Sequence, residues 1–303
     1  MLDRSEDRLL CCPYRGSPGA LRSDADKRRR KRMRKIALSC IVLILVLAGC
    51  SGQASIEGSM TVTFLDVGKA DAIFLQTEAS NVLIDAGTDK KGDDVVQALE
   101  DRGVKKLDLL IITHFDKDHV GGADKVLEAL PVDRVLEPNY AKDSKQFTQY
   151  RDALSKSGMQ AESLTQNIAF SIDGVEYQVD VANRDFYGED EENDFSLVVR
   201  ATHGSVRFLF TGDAENARLA ELLDEGDLQS AVLKVPHHGK YENLSPAFFE
   251  AVGAKYAVIT SSDEETEDEE TVYALQWLGA QVLYTRKGDV VLLSDGENVI
   301  LES

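Results

Sequence analysis

The sequence predicts an α/β fold. Two observations carry this reading. Short apolar runs alternate with amphipathic stretches along most of the chain, and the densest group of metal-ligating side chains directly follows one of those runs. That group is THFDKDHVGG (113–122), where His114, Asp116, Asp118 and His119 lie behind the buried run LDLLII (107–112).

Taken in order, strands are expected at 61–64, 72–76 and 81–85. The spacing of Val95, Val96 and Leu99, with Gly103 as a stop, predicts a helix over 91–101. The strand at 107–112 delivers the His/Asp group. A helix at 123–130 is stopped by Pro131, and a strand at 134–136 and a helix at 145–156 follow. The second half repeats the alternation: strands at 175–181, 196–201 and 206–210, a helix at 215–223, a strand at 231–235, a helix at 246–251 and a strand at 256–259. Two acidic tracts, GEDEEND (188–194) and DEETEDEE (263–270), interrupt the pattern and read as solvated loops.

A strand that ends in a Gly-terminated turn can point His114, Asp116 and Asp118 toward one spot, with His119 brought in as the chain bends. Imidazole with carboxylate suits Zn²⁺, Mn²⁺ or Fe. The bland alternative is a polar loop rich in His and Asp. Against it, the chain has only five histidines, and two more stand together at His237 and His238. No Gly-x-Ser-x-Gly elbow and no phosphate-loop pattern offers another catalytic class.

The motif H-x-D-x-D-H-x-G-G resembles that of the metallo-β-lactamase superfamily, with Asp116 in place of the middle His of H-x-H-x-D-H. The chain is similar to the C-terminal domain of the DNA-uptake channel protein of competent bacteria and its free-standing relatives. The resemblance is carried also by VTFLDVGKADAIFLQ (62–76), NVLIDAG (81–87), NDFSLVV (193–199), FLFTGDA (208–214) and LKVPHHGK (233–240). It implies an αββα sandwich of two mixed sheets and a pair of divalent ions, Zn²⁺ or Mn²⁺, about 3.5–4 Å apart. By motif position His114 and Asp116 would hold the first ion, Asp118 and His119 the second, and Asp213 would bridge them. His237 and His238 both remain candidates for the remaining imidazole. Asn193 stands where many relatives carry a ligand His, and is either a weak ligand or an ordinary strand-start residue. Asp85, a possible metal ligand, and Asp66 are expected to support ligands or form turns, His203 to sit at a hairpin turn, and Lys69 and Lys240 to be exposed cations or to bind a phosphate oxygen. Asp118 is also the expected proton acceptor in catalysis.

The N-terminus reads as a bacterial lipoprotein signal. A basic run (27–35) precedes 13 mostly apolar residues (36–48) and Leu-Ala-Gly-Cys ending at Cys50, the expected lipidation site. Met33 opens a complete signal by itself, so 1–32 read as an upstream start artefact without a fold, 33–49 as the signal, 50–59 as a tether and 60–303 as the hydrolase domain. Cleavage before Cys50 removes the other three cysteines and leaves no disulfide pair.

The first 49 residues hold 12 of the 34 Lys and Arg and 5 of the 53 Asp and Glu, which leaves 22 basic against 48 acidic residues, a formal −26. Such a field disfavours a nucleic-acid partner. The resemblance, with Asp116 in place of the middle His, implies an extracytoplasmic, lipid-anchored phosphodiesterase acting on a small phosphoester or a cell-envelope polymer. The rivals are a nuclease linked to DNA uptake and a non-catalytic surface lipoprotein with a degenerate metal site.

Overall fold

The alternating pattern resolves into two mixed sheets packed face to face. In the computed structural model, which describes residues 58–188 and 192–302, the first sheet contains β1 (Met60–Phe64), β2 (Ile73–Gln76), β3 (Asn81–Ile84), β4 (Leu109–Ile111), β5 (Val135–Pro138) and β6 (Glu162–Leu164). The second runs through β7 (Ile168–Ile172), β8 (Val175–Asp180), β9 (Val198–His203), β10 (Val206–Phe210), β11 (Val232–Lys234), β12 (Tyr256–Ile259) and β13 (Gln281–Tyr284). The chain then returns to the first sheet as β14 (Val290–Ser294) and β15 (Val299–Leu301). Strand orders are β15-β14-β1-β2-β3-β4-β5-β6 and β13-β12-β11-β10-β9-β8-β7.

Strand alternation builds three apolar layers. Val62, Phe64, Leu75, Ile84 and Ile111 face Val199, Phe208, Phe210 and Val258 across the space between the sheets. Their sequence neighbours Phe74, Leu83 and Leu110 turn outward to meet α1 (Gly92–Asp101), α2 (Ala123–Ala129) and α3 (Lys145–Lys156) through Val95, Leu99, Val126 and Tyr150. Leu209, Leu233 and Ile259 do the same on the second sheet, against α4 (Asn216–Glu225), α5 (Ser245–Val252) and α6 (Glu269–Trp277), through Leu219, Phe248 and Leu275. This is the αββα sandwich that the resemblance implies.

Several elements escape the sequence pattern. β6 has only three residues, and β7 alternates between half-buried and exposed positions because it is the edge of its sheet. The second acidic tract is not wholly loop, since Glu269 and Glu270 form the first turn of α6, where carboxylates complement the helix dipole. In the first tract, Glu192–Phe195 form a short 3₁₀ turn. The signal segment, Cys50 and most of the tether lie outside the described residues. Among the described residues no helix is long and apolar enough to cross a membrane.

Gly121 and Gly122 fix the seat of the His/Asp loop by close approach. A Cβ on Gly121 would fall on the Lys117 carbonyl and the Asp89 nitrogen, and one on Gly122 on the Ala86 carbonyl. All of these are backbone atoms with little room to yield. Gly121→Ala is expected to destabilise the protein by about 1–3 kcal/mol or more. Urea denaturation followed by circular dichroism checks this, and an unchanged midpoint would refute the tight seat.

Candidate metal centre

Five strands converge on one edge of the sandwich. β3 and β4 run parallel to each other, as do β10, β11 and β12, and each is followed at or near its carboxyl end by a polar residue of one buried cluster. These are Asp85 after β3, Thr113 and His114 after β4, Asp213 after β10, His237 and His238 after β11, and Thr260 after β12. Ligand sites in α/β sheets form at such strand ends because side chains there are aimed by rigid backbone while loops leave room for a ligand. Backbone bonds pin the His/Asp loop from both sides: Asp71 N donates to Asp118 O at 3.0 Å, and Ala86 N donates to His119 O at 2.9 Å.

The groups behind the imidazoles fix which nitrogen carries the proton. His119 Nδ1 lies 2.8 Å from Asp85 Oδ2, and His238 Nδ1 lies 3.0 Å from the Thr260 carbonyl. Both partners can only accept, so both Nδ1 atoms donate. Thr113 Oγ1 gives its hydrogen to Asp85 Oδ2 at 2.7 Å and so accepts from His114 Nδ1 at 3.1 Å. In the neutral rings all three Nε2 atoms therefore carry lone pairs. Those of His119 and His238 are only 3.3 Å apart. Asp213 lies between them, with Oδ1 3.2 Å from His119 Nε2 and Oδ2 3.2 Å from His238 Nε2. Asp118 Oδ2 stands 3.6 Å from His238 Nε2. His114 Nε2 is buried with no hydrogen-bond partner.

Lone pairs and carboxylates aimed at a common point repel unless a cation sits among them. His114, His119 and Asp213 form one such gathering, and Asp118, His119 and His238 another, each within 4.8 Å. The donor set fits a divalent transition metal. Without metal, protons fill this role. Burial pulls His119 and His238 down, but Asp213, together with Asp85 for the first and Asp118 for the second, outweighs it and raises both. Burial alone dominates at His114, which is pushed down to about 4. Burial also raises Asp118 and Asp213, yet hydrogen bonding and charge from His238 and His119, joined by Lys234 at Asp213, hold both below the usual carboxylate range.

The other expected site residues lie around this cluster. Asp85 has a left-handed φ of 58°, held by hydrogen bonds from Thr113 N, Thr113 Oγ1 and His119 Nδ1. It supports His119 and Thr113. His237 is the outer member of its pair, with Nε2 3.8 Å from Asp213 Oδ2 and Nδ1 2.9 Å from Glu215 Oε1 in an ion-pair contact. Asp116 has its Oδ1 2.5 Å from Lys142 Nζ. Asn193 gives its amide to Glu215 Oε1 at 3.2 Å, and its neighbour Asp194 caps α4 by accepting from Glu215 N and Arg218 N. Asp66 is exposed, Lys240 pairs with Glu215 at 3.3 Å, and His203 ends β9 with Nδ1 2.9 Å from Ser294 Oγ.

Two central residues are absent from the sequence reading. Lys234 is fully buried, with Nζ 2.7 Å from Asp71 Oδ2, 2.8 Å from the Gly212 carbonyl and 3.3 Å from Asp213 Oδ1. Asp71 also accepts from Thr260 Oγ1 at 2.6 Å. Their signal was available: a lone Lys in the apolar run AVLKV and a lone Asp between small apolar residues in KADAIF. Buried charges of this kind persist only in pairs.

The pattern of the metallo-β-lactamase superfamily matches residues 65–261. The chain belongs to that superfamily. It is 26% identical over 240 residues to ComE operon protein 3 of Bacillus subtilis, covering 73% of this chain and 30% of that protein. It is 28% identical over 226 residues to competence protein ComA of Neisseria gonorrhoeae, covering 72% and 30% respectively. The chain thus spans under a third of the length of these relatives. Among solved structures, the metallo-β-lactamase-fold protein YhfI from Bacillus subtilis superposes with a TM-score of 0.56 at 12% identity, over 78% of this chain and all of that one.

The titrations set a pH dependence for the metal-free protein. His119 and His238 are raised above 6.5, so the stability from their protonation is full below 6.5 and is lost as pH rises through the raised values. His114 is depressed, so its contribution is full above 6.5 and is lost as pH falls toward about 4. In chelator, the melting temperature is expected to peak near pH 6.5 and to fall on both sides. Saturating Mn²⁺ or Zn²⁺ is expected to remove the alkaline fall. A chelated protein equally stable from pH 6.5 to about 9 would contradict the arrangement.

Proposed function

We propose that this metallo-β-lactamase-superfamily chain is a metal-dependent hydrolase of phosphoester bonds, held at the outer face of a bacterial cell membrane by a lipid on Cys50. The observation that carries the hydrolase reading is Asp213, whose two oxygens face His119 and His238 separately at 3.2 Å each. In this reading Asp118, His119, His238 and Asp213 hold a divalent ion, and the His114 lone pair marks a second position. Such an ion supplies charge to a developing oxyanion and acidifies water.

The chain's own groups supply the remaining steps. Asp118 is the cluster carboxylate most open to solvent, at 18% side-chain exposure. Its depressed pKa keeps it ionised, so its oxygen can accept a hydrogen bond from an attacking water and orient it. Asp85 and Thr260 hold His119 and His238 in orientation, a role whose loss typically costs about 10–100-fold in metal affinity or activity. Preference for phosphoesters rests on similarity to the competence proteins and on Asp116 replacing the usual middle His. The same similarity favours one second reading, a nuclease on incoming DNA, which the formal −26 of residues 50–303 opposes.

The reading is tested by assaying the purified protein with Mn²⁺ and with Zn²⁺ on bis-aryl phosphodiesters, phosphocholine esters, single-stranded DNA and a β-lactam. Turnover of the phosphodiesters is expected, and turnover of the β-lactam alone would reject the phosphoester assignment. His238→Ala is expected to lose metal and activity together, whereas His237→Ala keeps metal and loses less. Equal metal content in the two variants by elemental analysis would remove His238 from the ligand set. For the anchor, Cys50→Ser is expected to abolish detergent-phase partitioning, and unchanged partitioning would defeat the lipoprotein reading.

A further inference from the structure

Lys142 lies in the loop between β5 and α3, and the structure gives it an unusual post. Its Nζ stands 2.5 Å from Asp116 Oδ1 and also contacts the Glu192 carboxylate, with only 22% of the side chain exposed. The loop is clamped to the His/Asp motif two residues earlier: Phe115 N donates to the Tyr140 hydroxyl at 2.9 Å, and the Tyr140 ring packs between Phe115 and Phe195 at centroid distances of 4.8 and 4.9 Å. The ammonium is thus held against Asp116 by packing as well as by charge.

The two candidate ion positions are unequally provided. Asp118, His119, His238 and Asp213 supply four donors at one, a full set for a tetrahedral metal. At the other, His114 Nε2 and the shared Asp213 are joined by at most the neutral Asn193 carbonyl oxygen, because Asp116 is engaged by Lys142. An ion recruiting Asp116 there would have to displace a fixed ammonium or sit beside it, and two like charges at such range repel strongly.

We propose that Lys142, by engaging Asp116, withholds that carboxylate from the first metal position, so that this protein retains one divalent ion tightly and a second only weakly. The proposal rests on the metal-binding reading of the site. It makes Lys142 the determinant of metal stoichiometry.

The test is metal content and spectroscopy on the full chain. After loading with Mn²⁺ and gel filtration, wild type is expected to retain one equivalent by elemental analysis and to give the electron paramagnetic resonance signal of an isolated ion. Lys142→Met is expected to retain close to two, with a spin-coupled signal and a second-site affinity raised at least about tenfold. Lys142→Arg, which keeps the charge, is expected to stay at one. Asp116→Asn is expected to keep its single equivalent, because Asp116 does not bind the retained ion. It and Glu192→Gln, which loosens Lys142 and is expected to move partway toward two, serve as independent arms should Lys142→Met fold poorly. Two tightly held equivalents in wild type, no gain on freeing Asp116, or loss of metal in Asp116→Asn each overturn the role of Lys142 while leaving a metal-binding site intact. No bound metal in wild type overturns the metal reading itself, and this proposal with it.

Discussion

The cluster is built around the ammonium of Lys234. It is fully buried at the end of β11 in the second sheet and reaches Asp71, which precedes β2 of the first, as well as Asp213 beside its own strand. Burial works against charge on all three groups, yet Lys234 is raised and both aspartates are lowered, so the set is ionised together. Removing one member of such a set leaves an uncompensated charge in the core and typically costs about 3–5 kcal/mol. The two sheets are therefore registered at this edge by a chain-borne cation. Asp213 owes its position between two imidazoles to it.

Around this pairing the protein stores strain where the chemistry is. Asp85, His237 and His238 all adopt left-handed backbone angles, with φ of 58°, 46° and 53°. Each such residue costs on the order of 1–3 kcal/mol and persists only where its surroundings over-determine it. For Asp85 three hydrogen bonds do so, and for His238 the Thr260 carbonyl and hydroxyl. The reversed backbone at 237–238 sends two consecutive histidines to different places, one inward to Asp213 and one outward to Glu215.

Much of the sandwich was legible because strands buried on both faces read as apolar runs and because motif order is a strong guide in an α/β chain. The strands β1 to β5 and β8 to β12 and the helices α1 to α5 all lie where the pattern places them, with ends shifted by a few residues. The rest was hidden for local reasons. β6 and β15 are too short to show periodicity, β7 and β13 are half-wet edge strands, α6 begins inside a run of acids that resembles a solvated loop, and β14 beyond it was not placed at all. At the site, side-chain type located the cluster, but spacing could not separate His237 from His238, because their difference lies in backbone angles and not in sequence distance. Nor could spacing reveal that Asp116 faces Lys142, since the two meet only through the docking of a loop 26 residues away.

The strand order of the first sheet also has a consequence for biogenesis. β1 pairs with β2 on one side and with β14 on the other, in register from Met60 opposite Ser294 to Phe64 opposite Val290. A ribosome must therefore deliver more than two hundred further residues before that edge is covered. Until then an apolar strand stands open, a state prone to pairing with neighbours and dependent on escorts. The first of the described strands is among the last to be secured, so completion of the sheet is a late and long-range event in the life of the chain.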